Sequence, residues 1–308
     1  MTLDPQAAAL LQRLAARNAP RLHEQSVAQA RAGAYGFLEL FGPPPTVAAV
    51  DHRFIPGPTA DIPIRIYTPD GERPFAALIY LHGSGFVISN IGIFDSPSRH
   101  LANRTGCIVI AVNYQKAPEH KFPTGFDDAY SAFEWVHANA DSLNVDPARI
   151  GVIGDSAGGT LATAICLKTR DVDGPPVWRQ VLIHPPTQWD EVTPSMVDNA
   201  EGLLLETEAM CWFRDHYLDE SQWMDPLAAP LRAESVTGLP PALVVTCEYD
   251  PLRDEGEMYG KRLRAAGVPT TITRYQGMIH GFYGTVEALD AAHYLYDEIA
   301  AFLLRDQD

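Results

Sequence analysis

Cysteine, positive charge and long apolar runs are scarce in this 308-residue sequence. Its four cysteines, Cys107, Cys166, Cys211 and Cys247, stand far apart, with no C-x-x-C pair and no Cys/His ligand spacing. That argues against a disulfide framework and against a metal site, and the thiols read as buried groups of a reducing compartment. Lys and Arg total 23 against 39 Asp and Glu, a net charge of -16. Phosphate backbones and anionic lipid surfaces are therefore repelled on average, and no nucleic acid is expected as a partner. No apolar run approaches the roughly 18 residues that cross a bilayer. The first residues lack a signal-peptide pattern, because Asp4 precedes the short run Ala7 to Leu11 and Arg13 and Arg17 follow it. The expectation is a soluble, cytoplasmic protein that makes no membrane contact.

What is present is an ordinary globular composition, 46% hydrophobic and 20% charged, in a chain longer than one core usually supports. One large α/β domain with an accessory piece, or two domains, is expected. Asp4-Pro5 opens a helix whose apolar stripe is Ala7, Leu10, Leu11 and Leu14, and a second helical stretch runs from about Arg21 to Leu40. Residues 1–45 thus read as a helical prelude. Between Val50 and Tyr67, Ile62, Ile64 and Ile66 alternate with Pro63 and Arg65, as in a half-solvated antiparallel edge.

Short apolar runs then alternate with helical patterns, the signature of a parallel sheet buried on both faces. Strands are expected at Ala76 to Leu81, Cys107 to Asn113, Ile150 to Gly154, Gln180 to Ile183, Ala242 to Glu248 and Thr270 to Tyr275. Helices fall near Phe94 to Thr105, Asp127 to Ser142, Ala157 to Arg170, Glu255 to Ala266 and Gly284 to Leu304. Thr187 to Gly238 breaks the rhythm and is too long for a structureless loop. Thr207 can cap a helix there that puts Met210, Phe213, Tyr217 and Leu218 on one side, so 187–238 reads as a helical insertion splitting the α/β core into 46–186 and 239–308.

Gly154-Asp155-Ser156-Ala157-Gly158 fits G-x-S-x-G between a strand and a helix, a turn that strains the serine backbone and leaves no room for side chains two residues away. A serine hydroxyl needs a base, and the base needs an orienting acid. In the fold that carries this elbow the chain order is Ser, acid, His. Asp250 is the first carboxylate beyond the strand Ala242 to Glu248, with Asp254 and Glu248 as alternatives, and among ten histidines only His280 stands between the last strand and the last helix. His293, within the final helix, and His184, at a strand end, read as structural. The strand Ala76 to Leu81 runs into His82-Gly83-Ser84-Gly85-Phe86. Backbone N–H groups of Gly83 and Ser84, with that of Ala157, are the expected donors to an oxyanion. Phe86, Phe282, Trp212, Phe213 and Tyr217 are the expected walls of an apolar pocket.

Together these strings resemble the bacterial hormone-sensitive-lipase-like esterases of the α/β-hydrolase superfamily. The family's HGGGF, GDSAGG, D-P-L-R-D-E-G and H-G-F stand here as 82–86, 154–159, 250–256 and 280–282, and its Y-R-L-A-P-E-H as 114–120. The resemblance spans roughly residues 30 to 304. It implies an α/β-hydrolase fold with a mostly parallel sheet, helices on both faces and a helical cap made of the prelude and the insertion. It also implies a cofactor-free carboxylesterase acting on short to medium acyl esters, and often a homodimer through the edge strand 270–275. Acyl transfer or amide cleavage by the same triad stays open, as does a catalytically silent ligand-binding receptor, although receptors resembling this family have lost the histidine. Two departures stand out. Ser84 replaces a glycine, a strain of about 1–2 kcal/mol if that residue needs positive φ. Its N–H is the favoured contributor and its hydroxyl the alternative. Gln115-Lys116 replaces Arg-Leu.

Overall fold

The computed structural model describes residues 2–304. Its eight strands are β1 (Ala49–Ile55), β2 (Ile62–Thr68), β3 (Phe75–Leu81), β4 (Ile108–Val112), β5 (Val145–Asp155), β6 (Gln180–Ile183), β7 (Ala242–Tyr249) and β8 (Thr270–Ile279). They form one sheet in the order β1-β2-β4-β3-β5-β6-β7-β8. β1 with β2 and β2 with β4 are antiparallel, and every later pairing is parallel. Every residue of β3 and β4 is buried, as a strand covered on both faces must be. In β2 the isoleucines 62, 64 and 66 are buried and alternate with half-buried Pro63 and Arg65, although Tyr67 after them is buried as well. The solvated edge itself is β1.

Helices α1 (Pro5–Ala15), α2 (Val27–Ala34) and α3 (Phe37–Phe41) precede the sheet; α4 (Asp95–Thr105), α5 (Thr124–Ala138), α6 (Ala140–Leu143) and α7 (Ala157–Asp171) follow within it. α8 (Pro194–Asp198) and α9 (Thr207–Tyr217) occupy the long interval before β7, and α10 (Arg253–Ala265) and α11 (Asp290–Leu304) complete the chain. The stretch Arg21 to Leu40 is not one helix. Gln29 Oε1 accepts the Ser26 N–H at 3.0 Å while Ser26 Oγ accepts the Gln29 N–H, a capping box that starts α2 afresh, and Gly36 separates α2 from α3. α11 begins at Asp290, after a 3-10 turn at Phe282–Gly284, rather than at Gly284. Thr207 is the first residue of α9, not its cap; its hydroxyl donates to the Met196 carbonyl at 2.7 Å and ties α9 to α8. Met210, Phe213 and Tyr217 of α9 are buried, as their spacing predicts.

Because β3, β5, β6, β7 and β8 run parallel, their C-terminal ends share one edge of the sheet. The segments that follow β3, β5, β7 and β8 carry the HGSGF string, Ser156, Asp250 and His280. Sequence positions far apart are thereby delivered to one crevice, where open α/β sheets bind ligands.

Candidate active site

β5 ends at Asp155 and α7 begins at Ala157, so Ser156 makes the whole turn alone, at φ 53 and ψ -125. A non-glycine residue in such a conformation costs about 1–3 kcal/mol and persists only where the surroundings over-determine it. Here they do: a Cβ on Gly158 would run into the Leu81 carbonyl oxygen, so only glycine lets α7 approach β3 this closely.

The Ser156 hydroxyl meets His280 Nε2 at 3.0 Å, and His280 Nδ1 meets Asp250 Oδ2 at 2.8 Å. Asp250 is fully buried, and its other oxygen accepts the Leu252 N–H at 2.9 Å. A carboxylate facing Nδ1 keeps the proton on that nitrogen, which leaves the Nε2 lone pair for the serine proton. The alternative acids face elsewhere. Asp254 accepts the Ser195 N–H at 2.8 Å and pairs with Arg253, while Glu248 accepts the Gly277 N–H at 2.7 Å.

His184 lies closer to the site than the sequence suggested. It is fully buried at φ 37, its ring centroid 4.2 Å from that of His280, and burial holds its basicity well below the ordinary histidine range. A neutral ring here packs against His280 without adding charge beside it. His184, Asp250 and His280 place three potential ligand atoms within 4.8 Å of one another, but the Asp250–His280 pair is already engaged in its own hydrogen bond.

The loop after β3 departs from expectation. Gly83 donates its N–H to Asp155 Oδ1 at 2.9 Å, so it is not available as an oxyanion donor. Asp155 is buried, also accepts from the Tyr80 hydroxyl at 2.8 Å, and burial pushes its carboxyl up to about 6. The N–H groups of Ser84, Gly85 and Ala157 have no protein acceptor among the described residues, and all three residues line the cavity beside Ser156. Gly85 is the glycine this geometry requires: its φ is 53 and a Cβ would strike the Phe213 ring. Ser84 is not among the positive-φ residues and carries none of the anticipated strain.

The cavity measures about 140 Å³. Leu22, Phe37 and Phe41 wall it from the N-terminal segment 1–45, Trp189, Leu204, Met210 and Phe213 from the insertion, and Phe86, Phe94 and Leu252 from the α/β core. Phe86 and Phe213 therefore stand where expected. Three residues named for the wall do not. Tyr217 lies behind Phe86, their rings stacked at 3.7 Å; Trp212 packs on His216; Phe282 is fully buried against Tyr275 and His184. Helical periodicity put Met210 on the same face as Phe213 and could have added it, whereas Phe41 and Trp189 had no local signal.

A buried acid, a histidine and a strained serine in hydrogen-bond contact, beside an apolar cavity at the carboxyl edge of a parallel sheet, define an α/β hydrolase. A family model described as the alpha/beta hydrolase fold matches residues 78–284. Esterase LipI of Mycobacterium tuberculosis is 40% identical over 245 residues, covering 77% of this chain and 76% of the relative. The arylesterase of Saccharolobus solfataricus is 38% identical, covering 73% and 74%. Among solved structures, an alpha/beta hydrolase enzyme from the metagenome of Lake Arreo, Spain, superposes with a TM-score of 0.95 at 40% identity over 98% of both chains. The hyperthermophilic esterase of the archaeon Pyrobaculum calidifontis gives 0.93 at 37% identity, again over 98% of both. The chain belongs to the α/β-hydrolase family, in its bacterial hormone-sensitive-lipase-like carboxylesterase branch, and is a carboxylic ester hydrolase. No helix among the described residues is long and apolar enough to cross a membrane.

Proposed function

We propose that the protein is a serine carboxylesterase that hydrolyses short to medium acyl esters through an acyl-enzyme. His280 Nε2 takes the Ser156 proton as Oγ attacks the ester carbonyl, and Asp250 holds the tautomer and stabilises the imidazolium. The N–H groups of Ser84, Gly85 and Ala157 receive the developing oxyanion, Gly85 replacing Gly83, whose N–H is bonded to Asp155. His280 then returns the proton to the departing alcohol, and water attacks the acyl-serine by the same route. The observation that carries this reading is the unbroken line Asp250–His280–Ser156, with bonds of 2.8 and 3.0 Å, opening onto an apolar cavity. Residues 1–45 and 187–238 act as the cap, since both contribute walls above Ser156.

The experiment is a chain-length series of p-nitrophenyl esters. Turnover is expected to peak at short to medium acyl chains; no turnover on any ester would defeat the reading. For assembly, β8 is the last strand of the sheet. Its outer edge is met at Gly277 by the Asp4 N–H, at 3.1 Å, while 270–275 are the residues proposed for a homodimer contact. A monomeric mass in light scattering across a wide concentration range would reject the dimer. A cytoplasmic location is proposed on the four free cysteines, which suit a reducing compartment, and fractionation of the source cells tests it.

A further inference from the structure

The two departures from the family strings, Ser84 and Lys116, meet at one side chain, Tyr114. The Tyr114 hydroxyl donates to the His82 carbonyl at 2.7 Å. With that proton committed, the 2.5 Å contact between Ser84 Oγ and Tyr114 Oη has the serine as donor. Ser84 Oγ in turn accepts the Phe86 N–H at 2.9 Å. The result is a directed chain, Phe86 N–H to Ser84 O–H to Tyr114 O–H to His82 C=O, with every proton placed. His82, Ser84, Phe86 and Tyr114 are all buried. Lys116 stands over the Tyr114 ring, 4.5 Å from its centroid, and donates to the Tyr114 carbonyl at 2.8 Å and to Asn113 Oδ1 at 3.2 Å. The His82 ring stacks on the same tyrosine at 4.8 Å.

This chain fastens residues 82, 84 and 86, and so brackets the N–H groups of Ser84 and Gly85. Gly85 and Phe86 are both at positive φ, 53 and 64. A loop of that shape must be held from outside. With glycine at 84 the buried Phe86 N–H loses its acceptor, and an unsatisfied buried donor costs more than a hydrogen bond gains.

We propose that Ser84 and Tyr114 act as one positioning pair that holds the Ser84 and Gly85 N–H groups on the oxyanion. The hydroxyl of Ser84 thus acts through the loop and not on the substrate. This rests on the serine-esterase reading above.

The test is steady-state kinetics on p-nitrophenyl butyrate with Ser84→Ala, Ser84→Gly, Tyr114→Phe and the Ser84→Ala/Tyr114→Phe double variant, with Tm for each and Ser156→Ala as control. Each single variant should lose about tenfold in kcat with KM within about twofold, the signature of an interaction realised in the transition state. The double variant should be no more than about threefold slower than the worse single, because the two groups share one chain. A purely structural pair would lower Tm while leaving kcat of the folded enzyme unchanged, and that result overturns the proposal. So do multiplicative losses in the double variant, or a hundredfold loss in Ser84→Ala with Tyr114→Phe near wild type, which would put the hydroxyl on the substrate. Retained turnover in Ser156→Ala would instead overturn the serine-esterase reading.

Discussion

The backbone N–H of Ser156 donates to the Ile183 carbonyl at 2.8 Å, so the residue stays bonded to β6 while its own backbone leaves strand geometry. The elbow is anchored by main chain, and its side chain is free to be exchanged. Ser156→Ala and His280→Ala should each reduce kcat by a factor on the order of 10⁴ or more while leaving Tm within a few degrees, and the double variant should be little worse than either. Ester assays and thermal melts on the three variants check this, and near wild-type turnover in either single variant contradicts it.

Asp250 and Asp254 lie four residues apart, yet only Asp250 reaches His280. Asp250→Asn should lower kcat by about 10⁴-fold through the wrong imidazole tautomer. Asp254→Asn should leave the rate within a few-fold and act on Tm, through its tie to Ser195. The reverse ranking in the same assay would move the acid to Asp254.

Phe86 and Phe282 were equivalent in the sequence and are not equivalent in the fold. Phe86 faces the cavity, so Phe86→Ala should shift the ester chain-length profile. Phe282 is buried away from it, and Phe282→Ala should cost about 3–5 kcal/mol of stability with the profile unchanged. Chain-length kinetics and denaturant melts separate the two, and a shifted profile for Phe282→Ala would return that residue to the wall.

Burial pushes the Lys116 ammonium down to about 7, helped by the nearby Arg31 guanidinium and opposed by Asp128. In the unfolded chain the ordinary lysine value applies, so between neutrality and that value the unfolded state binds more protons than the native one. Stability from this group therefore rises with pH from about 7 upward and is flat below. Relative to Lys116→Met, wild-type Tm should gain between pH 7 and 9.5. A flat or falling difference would contradict the assignment.

Much of this architecture is legible in the sequence because its signals are local. Buried runs such as Phe75–Leu81 announce central strands, and the elbow strings fix backbone turns by sterics alone. Chain order points to Ser156, Asp250 and His280, and His280 meets the other two at 3.0 and 2.8 Å. What was not legible depends on direction in space. Nothing in His82-Gly83-Ser84-Gly85 tells that the Gly83 N–H turns to Asp155 while that of Gly85 is left without a protein acceptor among the described residues. Periodicity placed Phe213 and Tyr217 on one face of α9, but only packing decides that Tyr217 stacks behind Phe86. Phe41 and Trp189 enter the wall from segments whose meeting is purely tertiary.

The central claim is that the acyl group passes through Ser156. Rapid acid quench of the enzyme during turnover of a p-nitrophenyl ester, followed by peptide mass spectrometry, measures it directly. The peptide containing Ser156 should gain the mass of the acyl group less one hydrogen, and Ser156→Ala should show no adduct and no turnover. An acyl adduct on another residue, or continued turnover in Ser156→Ala, would contradict the account.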